Sequence, residues 1–145
     1  MEVHRPKGAI MLNVYSGVRK SLMLYRHVKD TILDRDVKTP EGVRVLVVTN
    51  TVSDIYNYLI ALDNYFEDNI KSRGPYKRVI DIDGWLGTVD FMAYSVRSVP
   101  QNIEKIMGLE LTNAVITCKG VDSEFITRLA FRTNRRSKND NTKRR

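Results

Sequence analysis

Hydrophobic positions along the chain follow two alternating periods. Short apolar or β-branched runs, bounded by Gly, Pro, Asn and Asp, are typical of buried strands, and apolar residues that recur every three to four positions are typical of helices. The predicted strands are 9–12, 43–48, 76–82, 88–94 and 114–117. The predicted helices begin at Ser21, Ser53, Ser98 and Ser123. Strands and helices in this order predict an α/β fold, with a hairpin between the third and fourth strands.

The first predicted strand leads into a small-residue turn and then a helix, which is the layout of a phosphate-binding loop. Gly17, Lys20 and Ser21 lie in this turn and helix start. In a Walker A motif, backbone N–H groups surround a phosphate, the lysine meets the terminal phosphates and the hydroxyl holds Mg²⁺. Val14 and Arg19 occupy the two consensus glycine positions. The alternative is an ordinary strand and turn, with Ser21 as a helix N-cap.

The bulk composition indicates one domain. The chain has 145 residues and 42% of them are hydrophobic, which suffices for a single buried core. The apolar runs are too short to span a membrane. Cys118 is the single cysteine, so no disulfide within the chain is possible, which suits a reducing cytoplasm. With only two histidines, the chain lacks the ligands for a zinc site.

The formal net charge of +7 is concentrated at the end of the chain. Residues 132–145 contain seven basic residues and one acid, and they lack the apolar residues that a core needs. We therefore expect a disordered basic tail that binds DNA phosphates without sequence preference, with a merely solvated tail as the alternative. The candidate DNA-binding residues are Arg135, Arg136, Lys143, Arg144 and Arg145.

Two stretches of the sequence carry a family resemblance. The run 89–116, with its turn Gly-Leu-Glu-Leu-Thr at 108–112, resembles the large terminase subunit of tailed bacteriophages, in which such a turn leads into the Walker B strand. The run 44–53 is similar to that family's second strand and the polar turn behind it. The resemblance covers about residues 9–131, in the same order throughout.

The resemblance implies a P-loop NTPase-like fold of the ASCE or RecA-like type: a three-layer sandwich with a mostly parallel central sheet and a β-hairpin. Residues 1–131 would form a partial terminase-like ATPase domain, and 132–145 the basic tail. The implied function is that of the motor that packages viral DNA into capsids, in the cytoplasm of an infected bacterial host. The implied partners are the phage portal or other terminase subunits, double-stranded DNA and further copies of the chain.

The resemblance also implies a nucleotide site. ATP with Mg²⁺ would be bound by Gly17, Arg19, Lys20 and Ser21, with the Ser21 hydroxyl on the metal. The family ends its Walker B strand with an acidic or amide residue for the metal and a glutamate that polarises the attacking water, but these positions carry Thr117 and Cys118. Losing a group that polarises the attacking water lowers rates by a factor of about a hundred to ten thousand. Impaired hydrolysis is therefore expected.

Several interpretations stay open at this point. Asp122 and Glu124 follow the altered strand end and are candidates to replace its carboxylate, although a following turn is the simpler role. The chain could be one half of a split motor, a non-enzymatic protein that docks on the packaging machinery or DNA, or a gene remnant. Asp81 and Asp83 are either a metal-binding pair or turn residues, and Trp85 either contacts a partner or covers the hairpin.

Overall fold

The computed structural model describes residues 11–12, 19–34 and 41–143, with side chains described for 22–34 and 41–133. The helices and strands alternate along most of the chain, as the sequence predicts. The helices are α1 (Arg19–Ile32), α2 (Val52–Phe66), α3 (Val99–Ile106) and α4 (Ser123–Lys143). The strands are β1 (Met11–Leu12), β2 (Val43–Thr49), β3 (Ile70–Gly74), β4 (Lys77–Ile82), β5 (Trp85–Ala93) and β6 (Asn113–Ile116).

The described strands form one mixed sheet in the order β1-β6-β2-β5-β4-β3, with the two-residue β1 at one edge. β1, β6, β2 and β5 are parallel neighbours, whereas β5, β4 and β3 form an antiparallel meander. Most strand residues lie in that meander, so the expectation of a mostly parallel sheet is wrong. The difference arises because the predicted hairpin gains a third strand, β3, and because β5 is long enough to pair on both sides.

The helices cover both faces of the sheet, which gives three layers. On one face, α1 and α2 bury a stripe of side chains against the sheet, including Leu24, Val28 and Ile32 at helical spacing. On the other face, α3 and α4 pack over the ends of β2, β5 and β6 and bury Phe125 and Leu129. β2 is covered on both faces and is therefore almost continuously apolar, as in other buried parallel strands.

The antiparallel meander is fixed to α2 by a buried ion pair. Arg78 on β4 donates from Nε and from one terminal nitrogen to the two carboxylate oxygens of Asp63, at 2.7 and 3.1 Å. Its other terminal nitrogen donates to the carbonyls of Gly74 and Lys77, each at 2.8 Å. Because the Arg78 side chain is only 9% exposed, these bonds satisfy a charge that water barely reaches.

Three predicted helix starts differ from the structure. α1 begins at Arg19, so Ser21 lies inside its first turn and is not the N-cap. α2 is capped by Thr51, whose hydroxyl accepts from the backbone N–H of Asp54, two residues before the predicted start at Ser53. α4 is capped by Asp122, whose carboxylate accepts from the N–H of Glu124, so Ser123 is its first residue.

Candidate functional site

Four strands end at the same edge of the sheet because β1, β6, β2 and β5 run in the same direction. Met11 and Leu12 pair with Val115 and Ile116 of β6. The end of β1 and the end of β6 therefore lie side by side at this edge. In open α/β sheets this carboxyl edge is where ligands bind. We call it the carboxyl edge.

α1 begins toward this edge with a cationic first turn, because its last residue, Ile32, lies beside Gly87 and Val43 at the opposite edge. Its backbone starts at Arg19, so Lys20 and Ser21 belong to the first turn, and that turn contains no acidic residue. The amino end of a helix carries unpaired N–H groups and the positive end of the helix dipole, which favour an anion. Gly17, the remaining predicted phosphate-loop residue, lies outside the described residues.

The turn that carries the family resemblance positions the start of β6. Leu111 is fully buried in the core beneath α3 and α4. The Thr112 hydroxyl accepts from the N–H of Arg44, and the Thr112 N–H donates to the carbonyl of Arg44 at 2.8 Å. These bonds extend the pairing of β6 with β2 and fix the register in which β6 reaches the carboxyl edge.

The two residues after β6, Thr117 and Cys118, make structural contacts. Thr117 donates from its N–H and from its hydroxyl to the carbonyl of Val48, both at 2.9 Å. Cys118 is 5% exposed and packs in the core with α3 and α4. Burial raises the pKa of the Cys118 thiol, and the charge of Asp54 raises it further. Neither side chain can act as an ionised general base at neutral pH.

Tyr58 and Asp54 of α2 lie beside the end of β6, which the sequence analysis did not anticipate. The Tyr58 hydroxyl is buried and makes no hydrogen bond of standard geometry among the described residues. Burial raises its pKa, Thr117 lowers that pKa in part, and the charge of Asp54 raises it. Asp54 thus acts on both Tyr58 and Cys118, and it brings a carboxylate to the carboxyl edge from the neighbouring strand-helix turn. No sequence signal marks this, because strand adjacency decides it.

Asp122 is held in a structural role. Its backbone N–H donates to the Tyr94 hydroxyl at 2.9 Å, and its carboxylate caps α4. Glu124 points into solvent and pairs loosely with Arg128 at 3.7 Å. Both acids therefore make contacts at the start of α4, and their candidate role as a replacement carboxylate stays a prediction.

The acidic residues of the hairpin form a turn. The Asp81 carboxylate accepts from the N–H of Gly84 at 2.8 Å, and Asp83 has a φ of 53°, which Asp tolerates in turns. Trp85 packs against the core beneath α1 and α2. Within the described residues, no group of three or more His, Cys, Asp or Glu could hold a metal ion.

The predicted basic tail begins within a helix. α4 continues to Lys143, past residue 131, where the sequence predicts the start of a disordered tail. Arg135, Arg136 and Lys143 belong to this helix by their backbone, and Arg144 and Arg145 lie outside the described residues. Their predicted role in DNA binding stays a prediction.

Comparisons with protein-family models, with curated proteins and with solved structures found no match to this chain. In the part of the chain that the structure describes, every helix is too short or too polar to cross a membrane. The terminase resemblance therefore enters the functional interpretation as a proposal.

Proposed function

We propose that this chain is a terminase-like nucleotide-binding domain that holds the phosphates of Mg²⁺-ATP at the carboxyl edge and hydrolyses ATP poorly. The observation that carries the proposal is the parallel pairing of β1 with β6. It places the end of β1, which precedes the predicted phosphate loop, beside the end of β6 at the carboxyl edge of the sheet, and a phosphate loop follows such a strand.

The residues at the start of α1 suit a bound phosphate. Arg19 and Lys20 supply positive charge in a first turn without acids, and the turn's free N–H groups add hydrogen-bond donors. Ser21, one position after Lys20, is the residue that would hold the metal, which when bound would neutralise phosphate charge.

The end of β6 supports weak hydrolysis. The Thr117 hydroxyl donates a hydrogen bond to the Val48 carbonyl, and the Cys118 thiol stays protonated because burial raises its pKa. Asp54 lies in the first turn of α2, which follows the carboxyl end of β2, and its charge raises the pKa values of Tyr58 and Cys118. Slow turnover that depends on Asp54 is therefore the form of activity that this edge could support.

Calorimetric titration with Mg²⁺-ATP and with a non-hydrolysable analogue tests the proposal. We expect micromolar binding that Lys20→Ala abolishes. Lys29→Ala is the matched control, because Lys29 lies in the last turn of the same helix, and it should bind like the unmodified chain. An absence of heat and of thermal stabilisation at millimolar nucleotide would discard the nucleotide site.

The second candidate is a non-enzymatic protein that docks on the packaging machinery, meaning the portal or a terminase subunit, in the cytoplasm of an infected bacterium. The exposed apolar residues of α2, such as Tyr56 and Ile60, favour it, because clustered exposed apolar side chains mark interaction surfaces. Capture of a purified portal or terminase subunit, unchanged by Lys20→Ala, would support this function over nucleotide binding.

A further inference from the structure

A cavity of about 290 Å³ lies where the end of α3 meets β2, β4 and β5. We call it the α3 cavity. Its volume is close to the lower end of the range of about 300–1,000 Å³ that small-molecule sites occupy. Its wall is largely apolar, because the leucine of β2 and the methionine of β5 belong to the core beneath α3 and α4. The residues that line it include Leu46, Lys77, Asp90, Met92, Lys105 and Leu109.

Asp90 is the acid of this lining, and its charge is already neutralised. Its two carboxylate oxygens accept from Nε and from a terminal nitrogen of Arg44, at 2.6 and 3.3 Å. The Asp90 side chain is 17% exposed, so water screens this pair only in part. A carboxylate that is bound on both oxygens by one guanidinium adds little negative potential to the cavity.

Lys77 and Lys105 supply positive charge to the α3 cavity. Lys77 lies opposite Asp90 in the pairing of β4 with β5, and Lys105 is in the last turn of α3. Among the described residues, neither lysine forms an ion pair. The acids nearest in sequence to Lys105 do not line this cavity: Glu104 is exposed, and Glu110 lines a second cavity. The α3 cavity therefore combines two uncompensated cations with an apolar wall.

We propose that the α3 cavity binds a small organic phosphate, whose phosphate group pairs with Lys77 and Lys105 and whose apolar part packs on the wall. A phosphate monoester carries a charge of about −1.5 to −2 at pH 7, which matches two lysines better than a carboxylate does. This site is distinct from the proposed ATP site, because α1 packs in the core on the other face of the sheet. The inference therefore goes beyond the proposed function and does not depend on it.

An NMR titration of the full chain with phenyl phosphate, without Mg²⁺ or nucleotide, tests this site. The ring of the probe supplies the apolar part, and its phosphate supplies the negative charge. We expect saturable shifts of the backbone amides of Leu46, Met92 and Lys105, with a dissociation constant of about 1 mM or lower. Inorganic phosphate lacks the ring and benzyl alcohol lacks the charge, so each should bind at least about threefold more weakly.

Substitutions of single lysines locate the phosphate. Lys77→Met and Lys105→Met remove the charge and keep an apolar side chain, so each should raise the dissociation constant by about threefold to fivefold. Lys105→Arg retains the charge and should bind nearly as well as the unmodified chain. Lys71→Met is the matched control, because Lys71 is an exposed lysine of β3 that is not part of the cavity lining. Because all three lysines are exposed, unchanged thermal unfolding checks that each variant is folded.

Four results would overturn the proposal. An absence of saturable shifts at the lining residues with millimolar phenyl phosphate excludes the site. Equal binding of inorganic phosphate excludes a role for the apolar wall. Equal weakening by Lys71→Met assigns the binding to general attraction by surface charge. Shifts that Lys20→Ala abolishes assign the phosphate to the start of α1. Because Lys20→Ala should otherwise leave phenyl phosphate binding unchanged, failure of this site and failure of the ATP site are distinguishable.

Discussion

The ion pair between Asp63 and Arg78 allows a sharp prediction about what fixes the meander to α2. Asp63→Ala leaves the Arg78 guanidinium with two unpaired donors at a site where its side chain is only 9% exposed. Breaking a buried pair from one side costs about 3–5 kcal/mol. Asp63 is 27% exposed, and Arg78 keeps its bonds to two carbonyls. We therefore expect a loss at the lower end of that range, about 3 kcal/mol.

Arg73 provides the matched control for the same carboxylate. Its Nε lies 3.5 Å from Asp63, and its side chain is 54% exposed, so water screens the pair. Arg73→Ala should cost less than about 1 kcal/mol. Urea unfolding gives both free energies, and in thermal unfolding Asp63→Ala should lower Tm by roughly 10 °C.

A double variant distinguishes the cost of losing the ion pair from the cost of leaving the buried Arg78 guanidinium unpaired. If the cost of Asp63→Ala comes from the unpaired guanidinium, then Asp63→Ala/Arg78→Met should recover most of it, because Met fills much of the same space without charge. Equal costs for Asp63→Ala and Arg73→Ala would refute the reasoning. So would a double variant that is less stable than Asp63→Ala alone.

Three further predictions concern the core, the pH dependence and the tail. A Cβ on Gly87 would meet the side chain of Ile32, so Gly87→Ala should cost about 1–3 kcal/mol, whereas Gly74→Ala meets its nearest atom at 3.4 Å and should cost less in the same urea assay. Burial raises the pKa of Cys118 above its ordinary 9.0. The free energy of unfolding therefore keeps the full contribution of the protonated thiol below pH 9.0 and loses it as pH rises through the raised pKa of the folded state. Cys118→Ala should reduce this loss. Neutralising the basic residues of 132–145 should weaken DNA binding equally for all sequences and flatten its salt dependence, and unchanged affinity would exclude the tail from DNA binding.

The sequence predicted those helices and strands whose buried side produces a regular spacing of apolar residues. β2 is buried on both faces, so its apolar run was recognisable, and α1 and α2 carry apolar residues at helical spacing. β3 is absent from the strands that the sequence predicts, because its three central residues are exposed and polar. β3 is a strand because its backbone pairs with β4. Backbone pairing alone leaves no alternation of apolar and polar residues in the sequence of an exposed edge strand. This omission also hid the antiparallel character of the sheet.

The candidate site depends on adjacency between strands that are far apart in sequence. β1 and β6 are separated by about a hundred residues, and their pairing brings the end of β1 beside the end of β6. The same adjacency puts Asp54, which follows β2, close enough to act on Cys118. A motif search compares positions along one strand and its own loop, so it reaches Thr117 and Cys118 but not Asp54. The folded edge is shared by neighbouring strands, so an acid in the first turn of α2 acts on a residue that follows β6.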